Sequence, residues 1–387
     1  MSLSFFLKKE MLLLKLFLLL LFPFVLEYFE LINIFQFEQM ELLIFLSLIS
    51  LVPALIWIAI FNAEHHEKKS VLVSAFLAGC FSTVPIFFYQ HLFVSGEGIN
   101  LIFFKASAVN FQNNIAETLG YASSGELQGM ANNVPLTLEI IGSLFAVFLG
   151  VGVLEEVFKQ VVVNTDSAKY FTFLAVFLGV FSIASDHSIG NIAMVLVGLL
   201  AYFVFLREVL KNLAFKSIDD AIEIAIIAAL GFAFVENIHY FITKFGSNGF
   251  GVFIVIRVVF VTFIHILCSG IFGYHVGMAH FASDVLQDDY HAQKKHWFLR
   301  LVHKFFDIPK SRLFYYEHII LGLFLSVVFH ALFDFFMAFQ SVALFGIPLF
   351  AIVIPAYFIF GGQYLYGLFE KKEDQKEFIH TADTLPK

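Results

Sequence analysis

Charge is scarce in this chain: 14% of its 387 residues are charged, where a soluble domain carries about 25%. A soluble fold this poor in charge could not cover its surface. Basic clusters are missing too. The net charge is -8 and no segment forms the cationic face that nucleic-acid binding needs, so nucleic acid is excluded as a partner. Cysteine is almost absent. Cys80 and Cys268 are too few for a disulfide framework and lack metal-type spacing. No small-x-small cleavage site follows the first apolar run, which therefore reads as a retained helix kinked at Pro23 rather than a removed leader. No internal repeat is visible.

Apolar side chains are plentiful. They make up 60% of the sequence, and Phe alone occurs 54 times. A bilayer-spanning helix needs about 20 such residues in a row. Runs of that kind lie near 11–32, 41–61, 71–94, 136–163, 170–186, 189–206, 218–243, 251–281, 314–339 and 342–368. They lack the alternation of a membrane barrel. The expected fold is all-α, a polytopic transmembrane bundle of about ten helices. Lys8, Lys9, Lys68, Lys69, Arg207, Lys211, Lys216, the basic 282–313 loop and the Lys371/Lys372/Lys376 tail all fall on one side of it. The opposite side holds little more than Lys105 and Lys244. The positive-inside rule makes the first side cytoplasmic and puts both termini there. The lipid bilayer is thus one partner, and the cell membrane the location.

Titratable groups inside such helices are costly and mark functional sites by default. Glu155, Glu156 and Lys159 sit in the fourth run. Glu155 and Lys159 share a face at i, i+4; one carboxylate can pair with the ammonium and leave the other as a base. Anchoring of a helix end is the bland reading of the same three residues. Glu236 and Asn237 follow Ala229 and Ala233 on one side of the seventh run, where small residues admit a neighbouring helix. A structural ion pair of Glu236 with Arg257 is the competing reading. His265, Ser269, Gly273 and Gly277 recur every four residues as one stripe in the eighth run. His330 and Asp334, again i, i+4, form an imidazole–carboxylate pair or a structural bridge. Asp186-His187, His65-His66, His239 and Gly361-Gly362 read respectively as loop, interface, helix end, and packing or a kink.

Carboxylates and histidines in four apolar helices supply what water attack on a peptide bond needs: a base, an oxyanion stabiliser and an acid for the leaving amine. The same residue types can instead hold a zinc ion with Glu155, Glu236, His265 and His330 as candidate ligands, or work without metal. His-Glu-x-x-His, the helix-borne zinc motif, is absent. A proton- or cation-coupled transporter using the same buried groups is the alternative from another class.

The ordered set Glu155-Glu156-x-x-Lys159, Phe232-x-x-x-Glu236-Asn237, His265 and His330-x-x-x-Asp334 resembles the PrsW family of membrane proteases. Asp219 or Asp220 before Gly231-Phe232-Ala233 agrees with it. So do Arg257 before His265 and Ser269-Gly270 with Gly273-Tyr274 after. The resemblance covers roughly 140–340. That family is related to the CAAX-prenyl-protease-like and bacteriocin-immunity membrane proteins. The resemblance implies cleavage of a membrane-associated protein in a bacterial inner membrane, of the kind that releases an anti-sigma factor. Glu155 or Glu156, assisted by His265, would activate water. His330, oriented by Asp334, and Asn237 would stabilise the oxyanion or leaving group. Lys159 would tune the double glutamate, and Glu236 would act as a second acid/base or a ligand. The chain then divides into N-terminal helices with an outer loop of unassigned role (1–135), the protease core (136–340), and a last helix with a charged tail (341–387).

Overall fold

The computed structural model describes residues 39–61, 68–88, 152–163, 168–185, 189–209, 216–246, 249–282, 285–287, 303–305, 308–338, 343–344 and 347–369. The first apolar run (11–32), the outer 95–134 segment, residues 136–151, His65-His66, Asp186-His187, most of the 282–313 loop and the charged tail lie outside them.

Among the described residues the chain is a helical bundle. Its helices are α1 (Gln39–Phe61), α2 (Lys69–Ser82), α3 (Leu154–Gln160), α4 (Ala168–Ser185), α5 (Ile189–Val209) and α6 (Ile218–Lys244). α7 (Phe250–His280), α8 (Lys310–Ala338) and α9 (349–369) follow. Five helical stretches are long and apolar enough to cross a membrane: Glu41–Phe61, Lys69–Phe88, Phe250–His280, Lys310–Met337 and Ala351–Phe369. α4 and α5 hold shorter apolar segments, Thr172–Ile183 and Ile189–Val204. Large apolar side chains such as Phe173, Leu200, Ile320 and Phe360 stand fully outward on these helices. That is costly in water and favourable in lipid. The chain is a multi-pass membrane protein.

Two expected runs differ in detail. Of the fourth, expected to run to about 163, residues 152–160 are helical and Val161–Val163 form a turn. The tenth was read as helical from 342. Instead a two-pair antiparallel ladder joins Ala343 to Pro348 and Leu344 to Ile347, and helix begins at Leu349. Pro348 explains this locally, because a proline pushes the residue before it out of the helical region.

α6 is the axis of the bundle. Ser217 caps it: its hydroxyl accepts from the Asp220 amide at 3.2 Å, while Asp220 accepts from the Lys216 amide at 2.7 Å and the Ser217 hydroxyl at 2.8 Å. This reciprocal cap satisfies donors that an open N-terminus leaves orphaned. Beyond it, Ile222, Ile226, Ile227, Ala229 and Leu230 are fully buried. α7 runs antiparallel to α6 along the small-residue stripe. A Cβ on Gly277 would lie 2.9 Å from Ile218 Cα, and one on Gly273 would lie 2.6 Å from the Ala221 carbonyl oxygen. On its other side α6 crosses α2 at backbone contact, where Gly231 meets the Phe76 carbonyl and Gly79 meets the Ala228 carbonyl. Replacing Gly231 with Val drives a side chain into main chain that cannot yield. It is expected to destabilise the protein by about 3 kcal/mol or more, read as a lowered unfolding midpoint in detergent; an unchanged midpoint would contradict the crossing.

α8 docks on α7 through the Ser326 hydroxyl, which donates to the Cys268 carbonyl at 2.7 Å. α1 docks through the Ser50 hydroxyl to the Phe234 carbonyl at 2.9 Å and the Trp57 indole to the Val258 carbonyl at 3.4 Å. The latter carbonyl belongs to a π turn, Ile256–Val261, inside α7. Such wide turns insert a residue and are frequent at functional sites. Gly361, read as packing, sits in a second π turn (Tyr357–Gly361) against Leu267.

Candidate active site

Four helices meet around the middle of α7. α3 supplies Glu155, Glu156 and Lys159; its acids in the first turn and its lysine in the last complement the helix dipole. Gly152, just before it, brings α3 onto α8. A Cβ there would sit 3.2 Å from both the Ala331 Cβ and the Val327 carbonyl oxygen. α6 supplies Phe232, Glu236 and Asn237, α7 supplies Arg257, Thr262 and His265, and α8 supplies His330 and Asp334. Glu155, Glu156, Lys159, Glu236, Asn237, His265 and His330 are all buried, and the Asp334 carboxylate is the most exposed member at 21%.

These side chains form one continuous relay. The Arg257 Nη2 lies 2.9 Å from Glu236 Oε2 as an ion pair. The same carboxylate oxygen lies 2.9 Å from His265 Nε2. At the far side of that imidazole, Lys159 Nζ approaches Nδ1 at 2.9 Å. Lys159 also pairs with Glu156 Oε1 at 2.5 Å, and His330 Nδ1 meets this oxygen at 2.7 Å. His330 Nε2 then faces Glu155 Oε2 at 3.8 Å and Asp334 Oδ2 at 3.5 Å. The two imidazoles stand edge to face with centroids 5.1 Å apart. Phe232 forms an apolar wall, 4.9 Å under the Lys159 ammonium and 5.6 Å from the His265 ring.

Every residue singled out from the sequence as part of the site falls on this relay or directly beside it. Several partnerships differ from the sequence expectation. Lys159 pairs with Glu156 at i, i+3, a choice the sequence left open, so Glu155 is the carboxylate left over. Its Oε2 is buried and has no hydrogen-bond partner. His330 is held chiefly by Glu156, with Asp334 farther away. Asn237 is not open toward a reacting carbonyl: its Oδ1 accepts from Arg257 Nε at 2.9 Å and its Nδ2 donates to Thr262 Oγ1 at 3.3 Å. Glu236 is engaged by both Arg257 and His265, so the competing structural pairing and a place in the site are both realised.

The sequence reading named Arg257 as a flank of His265 and as a structural partner for Glu236, and it missed Tyr240 and Thr262. Arg257 lies over the Tyr240 ring at 4.1 Å, and Thr262 donates back to the Arg257 carbonyl at 2.9 Å. An arginine inside an apolar run was the available signal. His239 stays at the rim beside Phe87, with ring centroids 5.4 Å apart.

Glu155, His265 and His330 each place one ligand atom within 4.8 Å of the others, and all three are buried. Two imidazoles and a carboxylate are a zinc-type donor set. The orphaned Glu155 Oε2 and the His330 Nδ1 anchored on a carboxylate fit such an ion, because a ligating imidazole ordinarily gives its other nitrogen to an acceptor.

Fold and site thus define a multi-pass membrane protein with a buried carboxylate–histidine centre. Residues 193–360 match the family model described as PrsW family intramembrane metalloprotease, and over that stretch the chain is similar to this family. The matched region contains α6, α7 and α8. The double-glutamate helix α3 precedes it and joins them in space. No curated protein and no solved structure matches the chain.

Proposed function

We propose that this protein hydrolyses a peptide bond of a membrane-anchored protein substrate, with Glu155 as the group that activates water. The observation that carries this is the contrast within the site. Glu156 Oε1 and Glu236 Oε2 are each held by two close partners, whereas the nearest group to the buried Glu155 Oε2 is the His330 Nε2 edge at 3.8 Å. A carboxylate in that position can take a proton from water and return it to the leaving amine. Glu156 accepts from His330 Nδ1, which leaves Nε2 on the Glu155 and Asp334 side for proton traffic. Glu236, backed by Arg257, fixes the His265 ring, and Asp334 lies beside His330 as a further proton acceptor.

Glu155, His265 and His330 would hold a divalent ion such as zinc. When bound, such an ion would polarise the scissile carbonyl and acidify water at the site.

Depth narrows the substrate. Glu236 lies 18 residues into α6, about 27 Å along its axis at 1.5 Å per residue. If the basic loops are cytoplasmic, as the positive-inside rule implies, the Glu236 side of the site would lie in the outer half of the bilayer. A single-span protein cut near its outer face fits this placement, and an anti-sigma-factor-like regulator in a bacterial inner membrane is the substrate class of that shape.

The test is reconstitution of the full chain in liposomes with a single-span reporter. Cleavage near the outer end of the span is expected. Treatment with 1,10-phenanthroline is expected to reduce the rate at least 10-fold, with recovery on adding zinc, since removal of a catalytic ion removes its charge stabilisation. Absence of cleavage for every membrane-anchored reporter, or cleavage confined to the basic side, would sink the reading.

A further inference from the structure

The site contains a cation of its own, and its position bears on the ion that the previous reading invokes. An ammonium has three donors and no acceptor. Lys159 Nζ, 2.9 Å from His265 Nδ1, can therefore only donate, and Nδ1 must offer its lone pair. A neutral imidazole has one such lone pair. The proton is then on Nε2, where Glu236 Oε2 stands at 2.9 Å to accept it. Both contacts of the ring agree on one tautomer, and in that tautomer His265 has no electron pair left for a metal.

His330 is in the opposite condition. Its Nδ1 donates to Glu156 Oε1 at 2.7 Å, and its Nε2 faces the Glu155 and Asp334 carboxylates at 3.8 and 3.5 Å, an edge where a divalent ion could take the place of a proton. Of the two candidate imidazoles, only His265 has a cation already on it.

The block holds whichever nitrogen of His265 would ligate. Ligation through Nδ1 needs the place where Lys159 Nζ now sits, and it would keep the Nε2–H on Glu236. Ligation through Nε2 puts a proton on Nδ1, facing the donors of the ammonium. Neither tolerates Lys159 where it is. Lys159 also has somewhere to go. Its partner Glu156 keeps a second oxygen, Oε2, buried and without a hydrogen-bond partner. Moving from His265 toward that oxygen would preserve the ion pair.

We infer that Lys159 is an internal competitor of the divalent cation: it occupies the His265 lone pair while the ion is absent and must withdraw onto Glu156 before the ion is fully bound. The inference rests on the reading of Glu155, His265 and His330 as a metal centre. It makes Lys159 a positioning residue that sets the tautomer of a ligand and the threshold for loading. A charge-assisted hydrogen bond of this kind corresponds to about 10- to 100-fold in a binding constant.

The experiment uses the full chain in detergent micelles and cobalt(II), followed by its visible absorption, with zinc competition giving the zinc constant. The variants are K159M and H265A. K159M is expected to bind both ions about 10- to 100-fold more tightly than the wild type, and H265A to lose the high-affinity signal. Loss of a nearby positive charge could also tighten binding, so histidine 15N NMR of the metal-free protein supplies a readout that charge alone does not move. The His265 resonances, assigned by difference from H265A, should show the Nε2-protonated tautomer with a hydrogen-bonded Nδ1 in the wild type. Zinc should abolish that hydrogen bond. Equal affinity of K159M and wild type overturns the competitor role and leaves the metal centre standing. Undiminished binding by H265A overturns the metal centre and this inference with it. Should K159M fail to fold, the wild-type spectra with and without zinc decide: a proton on Nδ1 in the metal-free protein, or a Lys159 hydrogen bond that survives zinc, refutes the competition.

Discussion

Peptide cleavage by the Glu155→Gln protein is expected to fall about 1,000-fold, within the range that general acid–base groups contribute, while the bundle stays intact. Glutamine keeps the volume and removes the basic oxygen. Stability should barely change, because Glu155 Oε2 makes no hydrogen bond that the substitution could break. Glu156→Gln should behave differently. It weakens the carboxylate that Lys159 and His330 share, so it lowers both stability and activity. Cleavage rates for the two single variants, set beside their unfolding midpoints, separate the roles. Near-normal cleavage by Glu155→Gln would remove the proposed base.

The second large effect is expected from Arg257→Met. Arg257 holds Glu236 at 2.9 Å, and both side chains are about nine-tenths buried. Removing one partner of a buried pair leaves the other charge uncompensated, at a cost of about 3–5 kcal/mol. The loss also releases Asn237, whose Oδ1 accepts from Arg257 Nε. Arg257→Met should therefore lower the unfolding midpoint far more than a surface substitution does. The double variant with Glu236→Gln should regain much of the loss, because no lone carboxylate then remains. A double variant no more stable than Arg257→Met alone would mean that the arginine acts through packing rather than charge.

The membrane character and the identity of the site residues were legible in the sequence for a simple reason. A charged group in lipid needs a cause, so Glu155, Glu236, His265 and His330 stand out against phenylalanine and leucine. The small-residue stripe of α7 was equally readable, and the structure sets Gly273 and Gly277 against α6. Partner choice was not legible. Spacing allowed Lys159 to meet either glutamate, and in the structure it meets Glu156. The i, i+4 spacing of His330 and Asp334 suggested that Asp334 orients the imidazole, yet Glu156, 174 residues away in sequence, comes closer. Asn237 looked free because its partners, Arg257 and Thr262, lie on another helix. The start of the last helix was hidden too. Nothing in the composition of 342–368 announces the short ladder that precedes Leu349.

The wide turn at Ile256–Val261 has a consequence for how this site tolerates length changes. One residue more or less in a helix turns everything beyond it by about 100°. Deleting a single residue within that segment would convert it to ordinary α-helix and leave His265 on its stripe, but it would swing Arg257 off Glu236 and take the Val258 carbonyl away from Trp57. The guanidinium is thus aimed by an inserted residue rather than by its place in a heptad-like pattern, and relatives of this chain can be sorted by whether they retain that insertion.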